Sequence, residues 1–244
     1  MINSKRYIAF SLWGDSDIYT IGAIRNAELA GMIYPGWEVL VYYNDSVPVK
    51  IIEQLKHLGV NVIDMSDSGI YPLFWRFLAA DLADASHVVF RDTDSRLSVR
   101  EKAAVDEWIE AGCVLHVMRD HPYHQVPFGA GKSAILGGMW GIKAGMIDMK
   151  QSIAQFISSH ADAYGLDQTF LVDIYDQFSD SKIVHDEFFD GRPFPIKRKD
   201  YRFVGERIDI NEMPLGDDWK QIAEHCKKSK SIFNRITNLI RKIR

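Results

Sequence analysis

Apolar runs that read as buried strands recur at YIAFSL (7–12), EVLVYY (38–43), VNVIDM (60–65), HVVFRD (87–92) and CVLHVM (113–118). Between them the apolar positions fall at helical spacing over 17–33, 47–58, 73–84 and 99–111. Strands alternating with helices in this way predict parallel strands joined by crossover helices, an α/β, doubly wound, mostly parallel sheet of Rossmann-like type. Ligands of such sheets sit beyond the carboxyl ends of the strands. That places the expected chemistry at Ser11 to Asp15 and at Asp92 to Asp94.

After residue 119 the alternation loosens into MRDHPYHQVPFGAGKSAILGGMWGIKAG, rich in Gly, His and aromatic residues, a segment that reads as a functional loop rather than filler. Helical spacing resumes at 146–160 and 165–178, and a short strand is expected within KIVHDEF (182–188). Without an internal repeat or low-complexity linker, residues 1–225 read as one domain, with a first half (1–118) and a decorated C-terminal half (119–225).

Composition narrows the function classes. Charged residues at 25% and apolar residues at 47% of 244 are those of a folded globular chain. A formal charge of −4 gives no reason to expect nucleic-acid binding. Cys113 and Cys226 match no zinc or redox spacing, which fits a reducing compartment. RYIAFSLW is too short for a secretory leader, and no apolar run reaches the roughly 18 to 20 residues of a membrane span, so a cytoplasmic protein is expected.

The candidate chemistry centres on VVFRDTDSRLS (88–98). If the strand continues through it, Asp92 and Asp94 share a face and can reach one divalent cation while Thr93 turns away. Magnesium or manganese held by one or two carboxylates keeps positions open for phosphate oxygens, which suits a nucleotide ligand. The alternative is a strand end with ordinary solvated aspartates. GAGKS (129–133) is not a phosphate loop, because the pattern requires glycine at 126 and Val126 stands there. Lys132 remains a candidate cation near a leaving diphosphate.

With the DxD, four segments carry a resemblance to glycosyltransferases of the GT-A fold: FSLWGDSDIYTIGAIRNA (10–27), YPLFWRFLAADLADASHVVFRDTD (71–94), ILGGMWGIK (135–143) and YGLDQTFL (164–171), with VHD (184–186) after them. The resemblance covers about residues 7 to 205 and rests on order and spacing. It departs from the family at Met139, which interrupts GGMWG, and at Arg91, where an apolar residue or Tyr is commoner. It implies a UDP- or GDP-sugar donor, Mn2+ or Mg2+ held by Asp92 and Asp94, and a glycan or lipid-linked glycan acceptor. Ser11, Leu12 and Trp13 would meet the nucleotide, Arg76 and Thr93 the nucleotide-sugar, and Gly137, Gly138 and Trp140 the sugar pocket. Asp167 and Gln168 would contact the transferred sugar or the acceptor hydroxyl, and His185, with Asp186 as its rival, would add a metal ligand.

Each residue also has a plainer reading. Arg76, on an apolar helix, either snorkels to solvent or meets an anion. Arg91 and Arg96 can simply pair with neighbouring acids. Asp167 is a favourable first-turn charge for a helix. A strand-end histidine such as His185 is commonly structural, and Trp13 and Trp140 can pack in the core as well as stack on a ligand. His116, His121 and His124 lack the partners of a zinc site, leaving Asp120 and His121 as expected pocket lining.

From 227 to 244 the chain carries seven basic residues and no acid, while Ile232, Phe233, Ile236, Leu239, Ile240 and Ile243 recur at helical spacing. A basic amphipathic helix over 226–244 suits an anionic membrane surface, so peripheral attachment to the inner face of a membrane is expected, against a helix docked on its own domain. The function expected overall is a metal-dependent glycosyltransferase. The rivals are a DxD phosphohydrolase, with Gly216-Asp217-Asp218 as its late acidic cluster, and a non-catalytic sugar-nucleotide-binding protein.

Overall fold

A computed structural model describes residues 4–124, 135–159 and 166–228. The chain runs β1 (Lys5–Leu12), α1 (Asp17–Ile33), β2 (Glu38–Tyr43), α2 (Val49–His57), β3 (Asn61–Asp64), α3 (Pro72–Trp75) with a 3₁₀ turn (Arg76–Asp81), β4 (Ala85–Phe90), α4 (Val99–Ala111) and β5 (Leu115–Arg119). It continues with β6 (Trp140–Lys143), α5 (Met149–Ser159), α6 (Leu166–Gln177) and β7 (Lys182–Asp186). The seven strands form one sheet in the order β3-β2-β1-β4-β6-β5-β7. Its strand pairs are parallel except for β6, which lies antiparallel between β4 and β5. The expected α/β, doubly wound, mostly parallel sheet is what the chain builds.

Strand period explains why the apolar runs are nearly continuous. Tyr7 and Ala9 join a core with residues of α3, α5 and α6, whereas Ile8 and Phe10 join a second core with residues of α1, α2 and α4. Both faces of the sheet are thus covered, which is the condition that favours unbroken Val/Ile/Leu-rich strands. A smaller cluster, Ala104, Met118, Met139, Phe194 and Val204, fastens the C-terminal segment to the end of the sheet.

Two boundaries bear on function. Where helical spacing predicts one helix over 73–84, the α-helix stops at Trp75 and the chain tightens into the 3₁₀ turn. A contact with a distant strand accompanies the change: the Arg76 amide donates to Ser11 Oγ of β1 at 3.0 Å, outside the helical ladder. β4 likewise ends at Phe90, two residues short of the run read from sequence, where its pairing with β6 ends at Phe90–Trp140.

Candidate functional site

The DxD is held in a turn rather than in a strand. Arg91 directs its guanidinium back onto the carbonyls of Phe90 (2.7 Å) and Trp140 (3.0 Å), and beyond it Ser95 N donates to Asp92 O at 3.3 Å. Thr93 is buried and its carbonyl faces α1, while Asp92 and Asp94 remain half-buried. A Cβ on Gly22 would come within 2.0 Å of that carbonyl, so only glycine lets α1 approach. Asn26, one turn further along α1, donates to Ser95 O at 2.8 Å and accepts from Leu97 N at 3.0 Å. Nothing in the sequence marks Gly22 and Asn26, which sit on an ordinary helical face of α1. From the other side Ile208 N donates to Asp94 O at 2.7 Å, and Arg96 pairs with Glu212 at 3.0 Å.

Arg76 is the centre of the constellation. Its side chain is 6% exposed; Nη1 donates to Asp92 Oδ1 and to Arg91 O (3.0 Å), and Nη2 lies 3.7 Å from Asp167 Oδ2. Its Nε is buried with no protein partner among the described residues. Gly137 and Gly138 complete the wall. A Cβ on Gly137 would lie 2.5 Å from both Arg76 Nη2 and Asp167 Oδ2, and one on Gly138 would lie 2.1 Å from Asp92 Oδ2. Residues from five separate stretches, Ser11, Arg76, Asp92, Gly137–Gly138 and Asp167, therefore meet at one place beyond β1 and β4.

Electrostatics sharpen the picture. Burial and the neighbouring charge of Asp92 push Asp94 up to about 6, against the pull of Arg207 and Arg76. Asp167 is also raised, by burial, with Arg76 opposing. Two crowded carboxylates that cost energy when both are ionised are what a divalent cation relieves. Among the described residues no group of three or more His, Cys, Asp or Glu is arranged to hold a metal. An oxygen donor set of two carboxylates fits magnesium or manganese completed by ligand oxygens, and does not fit zinc.

Trp13, 41% exposed, stands edge-on to Trp75 with ring centroids 6.4 Å apart. The loop carrying it is tied to the end of β2 by Gly14 N donating to Ser46 Oγ at 2.7 Å. Gln168 is half-buried beside Asp167 in the first turn of α6.

Other expected residues lie elsewhere or are spent. His185 is fully buried on β7, with Nδ1 2.9 Å from His116 Nε2 and Nε2 3.2 Å from Glu107 Oε2. β7 is three strand positions from β4, roughly 14 Å at about 4.8 Å per strand, and both ring nitrogens are occupied. Asp186 caps a turn, accepting from Phe189 N (2.9 Å) and Gly191 N (2.7 Å). Trp140 is core, packed on Phe90 and Phe77, and the Leu12 side chain is buried as well. Asp120, expected to line a pocket, is a fully buried ion-pair hub for Arg100 (2.8 Å) and Arg198 (2.6 Å). Arg91 pairs internally with Glu101 at 2.9 Å. Lys132 and GAGKS, Tyr164-Gly165 and most of the basic 226–244 stretch lie outside the described residues.

No family model and no curated protein matches the chain. Solved structures similar to it include 4-diphosphocytidyl-2C-methyl-D-erythritol synthase from Anaerococcus prevotii DSM 20548, at 9% identity over 93% of this chain and 97% of that one, with a TM-score of 0.50. Glucosyl-3-phosphoglycerate synthase from Mycobacterium tuberculosis, with Mg2+ and uridine diphosphate, matches at 15% identity over 75% of this chain and 69% of that one, with a TM-score of 0.47. The glycosyltransferase GlyE of Streptococcus pneumoniae TIGR4 matches at 19% identity over 75% of this chain and 45% of that one, also with a TM-score of 0.47. The first of these likenesses, spanning nearly the whole of both chains, is one of fold.

Proposed function

We propose that the chain is a metal-dependent glycosyltransferase of the GT-A type, moving a sugar from a UDP- or GDP-sugar to a glycan or lipid-linked glycan acceptor. The observation that carries this reading is the convergence on Arg76 of the DxD carboxylate Asp92 and the buried carboxylate Asp167, walled by Gly137 and Gly138.

Asp92 and Asp94 would hold Mn2+ or Mg2+, which neutralises charge on the departing diphosphate when bound. The residues of the chain do the rest. Arg76 keeps Asp92 oriented and offers its unpartnered Nε as a buried donor to an anion. Trp13 presents an exposed face on which a nucleobase stacks. The two glycines let their backbone close directly on Arg76, Asp92 and Asp167, where any side chain would strike them and shift the carboxylates. If the transfer inverts configuration, Asp167, raised by burial, would accept the acceptor hydroxyl proton. We take residues 1–225 as one catalytic domain and the basic 226–244 stretch as a peripheral contact with anionic lipid on the cytoplasmic side. Among the described residues no helix is long and apolar enough to cross a membrane.

Calorimetric titration with UDP and GDP, with and without Mn2+, tests the reading on the wild type and on the Asp92→Ala/Asp94→Ala double variant. Metal-dependent binding of one nucleotide, lost in the double variant, is expected. Binding of neither overturns the reading and brings the phosphohydrolase forward.

A further inference from the structure

Beyond β5 the structure gathers a second feature that the donor site leaves unused. Tyr123 is 63% exposed, and Tyr201 and Trp219 are each 38% exposed. They come from three separate stretches, and His121 draws these together. Its Nε2 lies 2.9 Å from Asp218 O, its Nδ1 accepts from Tyr123 N at 3.2 Å, and its ring packs 4.8 Å from that of Phe203. These partners assign one neutral tautomer, with the proton on Nε2, which burial favours by lowering the imidazole's basicity. Trp219 follows Asp218 directly, and its ring stacks on that of Tyr201 at 6.2 Å and 22°.

The aromatic rim shares an edge with the DxD. β4 and β5 both run antiparallel to the intervening β6, so their carboxyl ends point the same way. Two strand steps of about 4.8 Å separate them, roughly 10 Å. One side chain spans much of that gap. Arg207, whose neighbour Ile208 donates to Asp94 O, reaches Asp218 Oδ2 at 3.6 Å, immediately before Trp219.

We propose that Tyr123, Tyr201 and Trp219 form the acceptor subsite and that its occupant is a pyranose ring of a glycan. The inference rests on the transferase reading and names its acceptor class. Aromatic faces receive the C–H faces of a sugar ring, and the flanking Arg207, Asp217, Asp218 and Lys220 supply the donors and acceptors its hydroxyls require. Lys220 Nζ sits 5.9 Å from the Trp219 ring centroid while paired with Asp217 at 2.6 Å, an exposed contact that a sugar would displace or share. An aliphatic lipid would meet a rim crowded with charge, which disfavours it.

The test uses the full chain labelled with 5-fluorotryptophan, its Trp219 fluorine resonance assigned through Trp219→Phe. It is titrated with methyl pyranosides of glucose, galactose, mannose and N-acetylglucosamine, and separately with anionic phosphatidylglycerol vesicles. The expected result is a shift of the Trp219 resonance with at least one pyranoside, with affinity weakened roughly three- to tenfold in Tyr123→Ala, the loss of one stacking contact. No shift with any pyranoside, while UDP or GDP still binds with Mg2+, overturns the subsite and leaves the transferase reading standing. A shift with vesicles alone overturns it in favour of lipid. Loss of nucleotide binding in the unsubstituted protein overturns the reading beneath it.

Discussion

Arg76 and Asp167 face each other at 3.7 Å, both side chains almost wholly buried, while Arg76 also grips Asp92 of the DxD. One guanidinium thus sets the spacing between the carboxylate expected at the metal and the carboxylate expected at the sugar. Its position follows from the break in α3, since the amide that leaves the helical ladder for Ser11 Oγ turns the side chain of Arg76 inward. A compact ammonium cannot reach Asp92, Arg91 O and Asp167 together. Arg76→Lys is therefore expected to keep the fold and to lower the rate of nucleotide-sugar turnover by about 10²- to 10³-fold, the usual loss for one charge-stabilising donor. An unchanged rate in a steady-state assay would sink the assignment.

Gly138 makes a separate and sharper test of the same wall. A methyl group there would overlap Asp92 Oδ2 at 2.1 Å, so Gly138→Ala should displace the carboxylate and abolish metal-dependent nucleotide binding. Gly31 is the control, since it lies exposed on α1 with nothing within 4 Å of a built Cβ. There alanine should leave binding intact and raise stability by about 0.5 to 1 kcal/mol through helix propensity. Calorimetry and urea unfolding on both variants read the contrast.

The buried pair His116–His185 predicts a pH dependence. Burial depresses both imidazoles below their ordinary 6.5. The unfolded chain then binds more protons than the native one below pH 6.5, so stability is full above that value and is lost as pH falls, by about 1.4 kcal/mol per unit for each histidine that stays neutral. Glu107, which burial pushes up but its contacts with His185 and Arg192 together bring below its ordinary value, adds a loss that begins only below about 4.5. Asp94, raised to about 6, acts with the opposite sign. The difference between wild type and His116→Phe isolates the histidine contribution. Urea midpoints at pH 7.5 and 5 should show the wild type losing more stability than the variant, and parallel losses would refute the neutral pair.

How far the residues announce this arrangement depends on whether the cause is local. Helices 17–33 and 99–111 are read to their end residues because the signals are close in the chain: apolar spacing for both, and for α4 also its caps, where Ser98 Oγ accepts from Glu101 N and Gly112 closes the helix at φ 69°. The meeting of Ser11 and Asp92 is legible because the ends of parallel strands share an edge, whereas Arg76, Gly137, Gly138 and Asp167, on a 3₁₀ turn, before the antiparallel β6 and on α6, are expected beside them only through the resemblance. Strand order is not local. Nothing in KIVHD says that β6 inserts antiparallel beside β4 and sends β7 to the far edge, which is why His185 reads as a ligand and folds as a buried partner of His116. Asp120 misleads for the same reason, since Arg100 and Arg198, its counter-ions, are distant in the chain.

Trp13 and Trp140 are alike in sequence as candidates for stacking, and their surroundings separate them. Trp13 projects from the loop after β1, partly exposed, with Trp75 at its edge. Trp140 has no exposed surface and packs 4.2 Å from Phe90 and 5.2 Å from Phe77, ring centroid to centroid. Truncating a buried tryptophan removes its transfer energy and leaves a cavity, so Trp140→Ala should cost about 3 to 5 kcal/mol of stability. Trp13→Ala should leave the unfolding midpoint nearly unchanged while weakening nucleotide binding by about 1 to 3 kcal/mol, the range for one base on one aromatic face. Because the two effects fall on different observables, equal losses of stability in both variants would place Trp13 in the packing and remove it from the donor site.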